Sequence, residues 1–383
     1  MILDSVQVHR FRNLIGTLHC GPRLNIILGS NGQGKTNWLE GIYLLSRTKS
    51  FRTQRLQESI RFGEQMALVK GQVSSGSDVQ RDLQVTLQGN TKVISVNGKK
   101  EPLARYLSQL QVFAFTADEL EVVRGVPEAR RRFIDRGVAS LQPAYVQTIS
   151  DYNRVVKQKN RILQDSAENE LALGNVEDLL APWNQLLVKL AGELHRSRTD
   201  YIERINQSLQ HGLFERREIQ IRYLSQLEGK GDVDSYEALL EQRLRLRLPA
   251  ELAAGRSLIG PHRDDLQILL EGREMRVYGS SGQQRSALLL LDLAAISLYN
   301  SWHGDYPLFL IDDVDAELDE RRIRQLLEYL EDRTQTFITT SKRSHLEGFL
   351  SGARVHEIEE GQLVNEVLSE EPDPIAVAST ELT

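Results

Sequence analysis

The run Gly29-Ser30-Asn31-Gly32-Gln33-Gly34-Lys35-Thr36 carries the spacing G-x-x-x-x-G-K-T. Apolar β-formers, Leu24 to Leu28, precede it, and a helical pattern follows from about Gly34 to Ser46. In that setting the glycines let the backbone curl so that its N–H groups face an anion. Lys35 reaches β- and γ-phosphates, and the Thr36 hydroxyl ligates Mg²⁺. The helix start adds the positive end of its dipole. The alternative is a glycine-rich turn that matches by chance, and the strand-before, helix-after context argues against it. The stretch predicts nucleotide binding but leaves the kind of P-loop protein open.

Two further stretches narrow the class. "PLFLIDDVDAELD", Pro307 to Asp319, reads as a buried strand that delivers Asp312 to its carboxyl end, where ligands bind in open α/β sheets. Asp312 suits Mg²⁺ held through water, and Asp313 suits orienting or deprotonating the attacking water. The plainer reading is a core strand with a polar turn. "YGSSGQQRSALLLLDLAAISLY" places Ser280, Gly282 and Gln283 at the start of an apolar helix, which makes either a second anion site or an ordinary serine cap. Taken in order, the P-loop, the S-S-G-Q helix, the Asp pair and E-L-D resemble the ATP-binding-cassette class of heads. The resemblance implies that Ser280 acts in trans on a partner's nucleotide and that Asp319 lies on the loop contacting that site. Thr340, in "FITTSKR", stands where transporter cassettes carry a switch histidine. Thr36 and Ser280 are 244 positions apart, far more than transporter cassettes allow, whereas SMC-like repair and chromosome-organising ATPases insert helices there.

The elements that must position these residues are legible in outline. Strands are expected at Ile2–Val8, Leu24–Leu28, Ala67–Val73, Asp82–Leu87 and Val93–Val96, with Asn97-Gly98 as a hairpin turn. From about Asp118 to Leu248 the pattern is helical. Pro143–Gln164 forms one helix, and a second carries the stripe Leu179, Trp183, Leu187, Leu190, Leu194, Tyr201, Ile205 and Leu209. Together they predict an arm about 30–45 Å long. Strand–helix alternation resumes after Gly255. The expected fold is therefore α/β, an ABC-type P-loop ATPase head with an inserted, mainly helical arm. The expected boundaries are 1–117 and 251–368 for the two halves of the head, 118–250 for the arm and 369–383 for a disordered acidic tail.

Composition sets outer bounds. The 383 residues carry a formal net charge of −6, so any polyanion contact must come from a local patch. The single cysteine, Cys20, excludes an internal disulfide. With no apolar run of membrane-spanning length and no signal-peptide pattern at "MILDSVQVHRFRNL", the reading is cytoplasmic, with no membrane contact. Residues 1–60 hold eight Lys/Arg against three Asp/Glu. Within them Arg47, Lys49, Arg52 and Arg55 form one basic run, and Arg154, Lys157, Lys159 and Arg161 form another on the arm. Both are candidate DNA contacts or, alternatively, ordinary solvated faces.

"FRNL", "GSNGQGKTNWLEGIYLLSRTKSFR", "VPEARRRFID", "GPHRDDL", "SSGQQRSALLLLDLA" and "IDDVDAELD" resemble the RecF family of bacterial DNA replication and repair proteins, from Phe11 to Asp319. One departure is Ala117 in "FTADEL", where a proline is expected. The resemblance implies an ATP-dependent homodimer with two nucleotides between its heads, engagement of single-stranded or gapped DNA, and slow, DNA-stimulated ATP hydrolysis. It also implies RecR and RecO as partners in loading RecA. "GPHRDD" fits no metal-ligand pattern and reads as a turn held by Arg–Asp pairing. The competing readings are a cassette ATPase energising a membrane complex, disfavoured by the long insert and Thr340, and a nucleotide-gated scaffold with little direct DNA contact.

Overall fold

Leu24–Leu28, Leu308–Ile311, Thr336–Thr340 and Val112–Phe115 are short runs made mostly of apolar and β-branched residues, and each is a strand of one six-stranded sheet. Its order is Gln362–Leu368, Arg354–Glu359, Leu24–Leu28, Thr336–Thr340, Leu308–Ile311, Val112–Phe115, all parallel except the first, edge strand. Parallel strands are covered on both faces, which is why these runs are buried almost throughout rather than alternately. The register pairs Leu28 with Thr340 and Ile311 with Ile338. The segments that leave the carboxyl ends of all three strands therefore emerge side by side.

The computed structural model describes residues 1–75, 79–209, 219–231, 235–350 and 352–368. Its contacts group Met1–Glu119 with the residues from Tyr299 onward in one compact unit, and Leu120–Leu298 in another. Gly260–Asp265 and Ser280 thus group with the helical segment, whereas the sequence reading set that boundary at 250. The tail expected at 369–383 lies outside the described residues.

In the first unit a second, antiparallel sheet runs Leu14–His19, Ile2–Phe11, Met66–Ser75, Val79–Gln88, Thr91–Val96, Lys99–Lys100. Its strands alternate, burying Val6 and Val8, Val69 and Val73, and Leu83, Val85 and Leu87. Asn97 and Gly98 both have positive φ, 50° and 74°, as a two-residue hairpin turn requires. The Lys35–Arg47 helix is buried from Trp38 to Ser46 and shares one core with both sheets. It packs so closely on the antiparallel sheet that a Cβ at Gly71 would lie 2.2 Å from Leu45 Cδ2. Burial of Trp38, Ile42 and Leu45 contributes on the order of 1.5–3 kcal/mol each, which anchors the helix whose first turn forms the P-loop.

The second unit is built on the helices Pro127–Leu141, Tyr145–Glu168, Leu173–Leu209 and Tyr236–Ala254. The 37 residues of Leu173–Leu209 reach about 55 Å at 1.5 Å per residue, longer than expected. Its buried stripe begins at Val176 and Leu180, packed with Leu163 and Leu248, while Leu179 is half exposed. The expected stripe was therefore one residue out of phase at this end. Ile219–Leu224, inside the stretch read as helical, is a strand that pairs antiparallel with Asp265–Leu270. The strands Arg354–Glu359 and Gln362–Leu368 were not foreseen either.

Candidate nucleotide site

The P-loop leaves Leu28 and turns into the helix at Lys35. Gly32 and Gly34 have φ of 85° and 100°, the left-handed backbone that a curled cradle needs. Gly29 is required for a different reason: a Cβ there would lie 2.5 Å from the Ile358 carbonyl oxygen. The turn joining the last two strands lies directly against the loop. The Glu360 amide donates to Gln33 Oε1 at 2.5 Å, and the Gly361 amide donates to the Gln33 carbonyl at 2.7 Å. The Gln33 side chain is thus tied to this turn, and only its backbone belongs to the cradle.

Lys35 is buried, and its ammonium donates to the carbonyls of Gly29 at 2.7 Å and Ser30 at 3.0 Å. Burial lowers its pKa, opposed by the nearby carboxylates of Asp313, Asp312 and Asp315. Asp312 Oδ1 accepts from the Thr36 hydroxyl at 2.9 Å and the Thr339 hydroxyl at 2.7 Å. Burial raises the Asp312 pKa against the pull of those two donors. The Asp313 amide donates to Thr339 Oγ1 at 2.7 Å, and Asp313 itself adopts φ 48°, ψ 54°. A hydroxyl and a carboxylate this close suit a hard cation that takes its remaining ligands from phosphate oxygens and water. Among the described residues no group of three or more His, Cys, Asp or Glu side chains converges as a metal cage.

Beside the P-loop, in the same unit, opens a cavity of about 1200 Å³ lined by Asn13, Asn37, Arg52, Arg61, Phe62 and Glu360 among others. Asn37 Nδ2 donates to Asn13 Oδ1 at 2.7 Å, Arg52 donates to Asn37 Oδ1 at 2.7 Å, and Arg61 donates to the Asn13 carbonyl. Arg12 is clamped by the buried Glu40 through two bonds of 2.9 and 2.8 Å. Phe62 is fully exposed, an aromatic face beside these polar groups. Sequence reading recorded "FRNL" without giving Asn13 a role and passed over Phe62. It also missed Thr339, although two threonines ending a buried strand beside a P-loop were a usable signal.

In the second unit, Ser280 and Gln283 form a reciprocal cap: the Ser280 amide donates to Gln283 Oε1 at 2.9 Å, and the Gln283 amide to Ser280 Oγ at 3.3 Å. Ser280 is exposed, and Gly282 faces open space. In the first unit Asp319 is the N-cap of the Glu320–Leu330 helix and accepts from the Arg322 amide.

The basic runs divide. Arg47 donates twice to the Val112 carbonyl, at 3.1 and 2.9 Å, and lies over the Phe113 ring, so this expected DNA contact is an internal strut. Lys49 lies near Lys92, whose pKa is lowered by burial and then by Lys49. Arg52 is held by Asn37 and lies 3.8 Å from Glu40, while Arg55 is exposed. On the arm, Arg154, Lys157 and Arg161 are exposed, with Arg154 and Arg161 beside Asp151 and Asp165. Lys159 is not a surface group. It pairs with Glu251 at 2.7 Å, and both side chains are fully buried. Burial of an ion pair explains what the charge run alone concealed.

"VPEARRRFID" and "GPHRDD" meet in the second unit. Arg130 grips Asp265 through bonds of 2.6 and 2.9 Å, and Arg131 donates to the Asp264 carbonyl at 2.8 Å. The Asp264 carboxylate accepts from the Tyr223 hydroxyl and the Gln226 amide, and Tyr152 bonds His262 Nδ1 at 2.7 Å. Every carboxylate and the imidazole of the motif are engaged in holding a turn.

A buried P-loop lysine, a Thr–Asp pair at the carboxyl ends of a parallel sheet and a helical insert define an SMC-like, ABC-type ATPase head. The profile of the RecF/RecN/SMC N terminal domain matches residues 2–363. The chain is 34% identical over 378 residues to the DNA replication and repair protein RecF of Staphylococcus aureus strain JH9, covering 95% of this chain and all of that protein. A solved structure of the recombination mediator protein RecF with ATP, in the RecFOR pathway, superposes with a TM-score of 0.86 at 30% identity, covering 95% of this chain and 97% of that one. An SMC head bound to the C-winged helix domain of ScpA shares the fold at TM-score 0.56 and 13% identity. The chain belongs to the RecF family.

Proposed function

We propose that the protein is an ATP-dependent DNA-binding protein of recombinational repair and replication restart. It binds ATP with Mg²⁺ and engages single-stranded or gapped DNA as a nucleotide-bridged homodimer. In the cytoplasm it works with RecR and RecO to load RecA. The observation that carries the reading is the Thr36–Asp312–Thr339 linkage beside the buried Lys35 ammonium.

Lys35 and the Gly29–Thr36 amides hold the phosphates, with Ser30, Asn31 and Gly32 forming the bend. Thr36 and Asp312 would hold Mg²⁺, which would supply neutralisation of phosphate charge there. Asp313 orients the attacking water. The cavity beside Asn13, Asn37 and Phe62 takes the nucleoside end. Ser280, with Gly282 and Gln283, completes a partner's site in trans, and Asp319 lies at that contact. Turnover is slow because each site lacks its serine until a second head docks, so ATP serves mainly to join two heads.

DNA engagement is assigned to the exposed basics Lys49, Arg52 and Arg55 of the first unit and Arg154, Lys157 and Arg161 of the second. A second reading, a nucleotide-gated scaffold with little DNA contact, is favoured by one observation: Arg47 and Lys159 are both committed internally. Binding of the purified protein to gapped duplex, with and without ATP·Mg²⁺ and across a salt series, separates the two. ATP-dependent retention that falls steeply with salt supports the first, whereas retention under no nucleotide condition supports the scaffold.

A further inference from the structure

We propose that Asp315 is a positioning residue of the ATP site: it clamps the segment Thr340–Lys342 and thereby fixes the direction in which Asp313 presents its carboxylate. The inference rests on the ATPase reading above.

Asp315 Oδ2 is a hub. It accepts from the Thr340 hydroxyl at 2.5 Å, the Ser341 amide at 2.9 Å and the Lys342 amide at 3.2 Å. The neighbouring residue Thr339 makes the matching stitch to Asp312 at 2.7 Å, and its oxygen accepts the Asp313 amide. Successive side chains of a strand point to opposite faces. Thr339 and Thr340 therefore tie both faces of one strand end to the loop that begins at Asp312. Asp313 lies between the two stitches in the left-handed region, which a non-glycine residue adopts only where its surroundings hold it there.

The arrangement also accounts for Thr340, at the position where transporter cassettes carry a switch histidine. Its hydroxyl is committed twice, donating to Asp315 and accepting the Lys342 amide at 3.0 Å. Thr340 thus acts on the loop. Asp315 adds a third carboxylate near Lys35 and favours its charged form against burial.

The test uses the full chain with Asp315→Ala, Thr340→Val and Thr340→Ser, measuring equilibrium ATP·Mg²⁺ binding and steady-state turnover. Asp315→Ala and Thr340→Val should lower kcat roughly 10- to 100-fold while KM and Kd stay within about threefold, as expected when a group is misaimed rather than removed. Thr340→Ser, which keeps the hydroxyl, should restore turnover, and the double variant should be no slower than Asp315→Ala alone. Should Asp315→Ala fold poorly, Thr340→Val, which removes one hydroxyl, decides the matter. Wild-type kcat in Thr340→Val, or no rescue by serine, overturns the clamp. Failure of the underlying reading looks different: the wild-type chain, or Lys35→Ala, would then show no specific loss or gain of nucleotide binding whatever residue 315 is.

Discussion

The Thr36 hydroxyl donates to the Asp312 carboxylate at 2.9 Å, joining segments 276 positions apart, and the Thr339 hydroxyl donates to the same oxygen. The carboxylate is partly buried; burial, and after it the neighbouring Asp313, raises its pKa, while the Thr339 and Thr36 donors, with Arg52, favour its charged form. A hydroxyl and a carboxylate already in contact need little rearrangement to face one cation together.

Asp312→Asn should therefore uncouple nucleotide affinity from Mg²⁺. Titration of the wild type with a fluorescent ATP analogue should show affinity falling about tenfold or more when EDTA replaces Mg²⁺. The variant should bind with nearly the same affinity in both conditions, close to the wild type in EDTA. Persisting Mg²⁺ dependence in Asp312→Asn would place the cation elsewhere.

Lys159 yields a stability prediction where the sequence suggested DNA contact. Removing its charge leaves the Glu251 carboxyl fully buried without its cationic partner, with Oε1 still accepting the Leu258 amide at 2.8 Å. Lys159→Met should cost about 3–5 kcal/mol in urea unfolding of the second unit, because an uncompensated charge is stranded. The double variant Lys159→Met/Glu251→Gln keeps the acceptor for Leu258 without the charge, and should recover most of that loss. DNA affinity of the folded protein should be unchanged in the double variant.

The Lys159 case also marks how far the sequence can be read. Tyr152, Val155, Lys159 and Leu163 are the buried positions at helical spacing, so the lysine stands in an apolar stripe that periodicity could have exposed. Arg198 does the same between Leu194 and Tyr201. The buried strands that position the P-loop and the Asp pair were legible because they are short and mostly apolar. Ile219–Leu224 was not, since a six-residue strand with Gln220 and Arg222 on one face is hard to distinguish from an amphipathic helix turn. Adjacent leucines at 179 and 180 leave the helical phase open, and only packing on Val176 and Leu163 decides it. The clamp on Thr340 was invisible because hydrogen bonds between strand ends depend on register, which composition does not encode.

Histidine burial sets the acid limit. Burial pushes His195, His262 and His356 down to about 4. Their folded values lie below the unfolded one near 6.5, so the unfolded chain binds more protons between these limits. Stability should be fully present above about pH 6.5 and fall as pH drops toward 4, with the slope expected for up to three protons. His262→Gln should flatten that slope by about one proton in urea titrations at stepped pH. An unchanged slope would mean that His262 is already protonated in the fold, against its bond to Tyr152.

The three exposed cations of the arm, Arg154, Lys157 and Arg161, recur at three- and four-residue steps and so share one helix face. Asp151 and Asp165 lie beside two of them, at 3.7 and 3.8 Å, and both pairs are exposed. Such pairs contribute little to stability, so replacing all three cations with alanine should leave unfolding within about 1 kcal/mol of the wild type. Phosphate contact by this face would give a different response in binding. The slope of log affinity against log salt should become shallower by about 2 to 3, since each neutralised phosphate contributes about 0.9 on duplex DNA. A triple variant with wild-type slope and affinity would remove the arm from the DNA interface. The contact would then fall to Arg52 and Arg55, where the same substitution series can be repeated without touching the Arg47 strut.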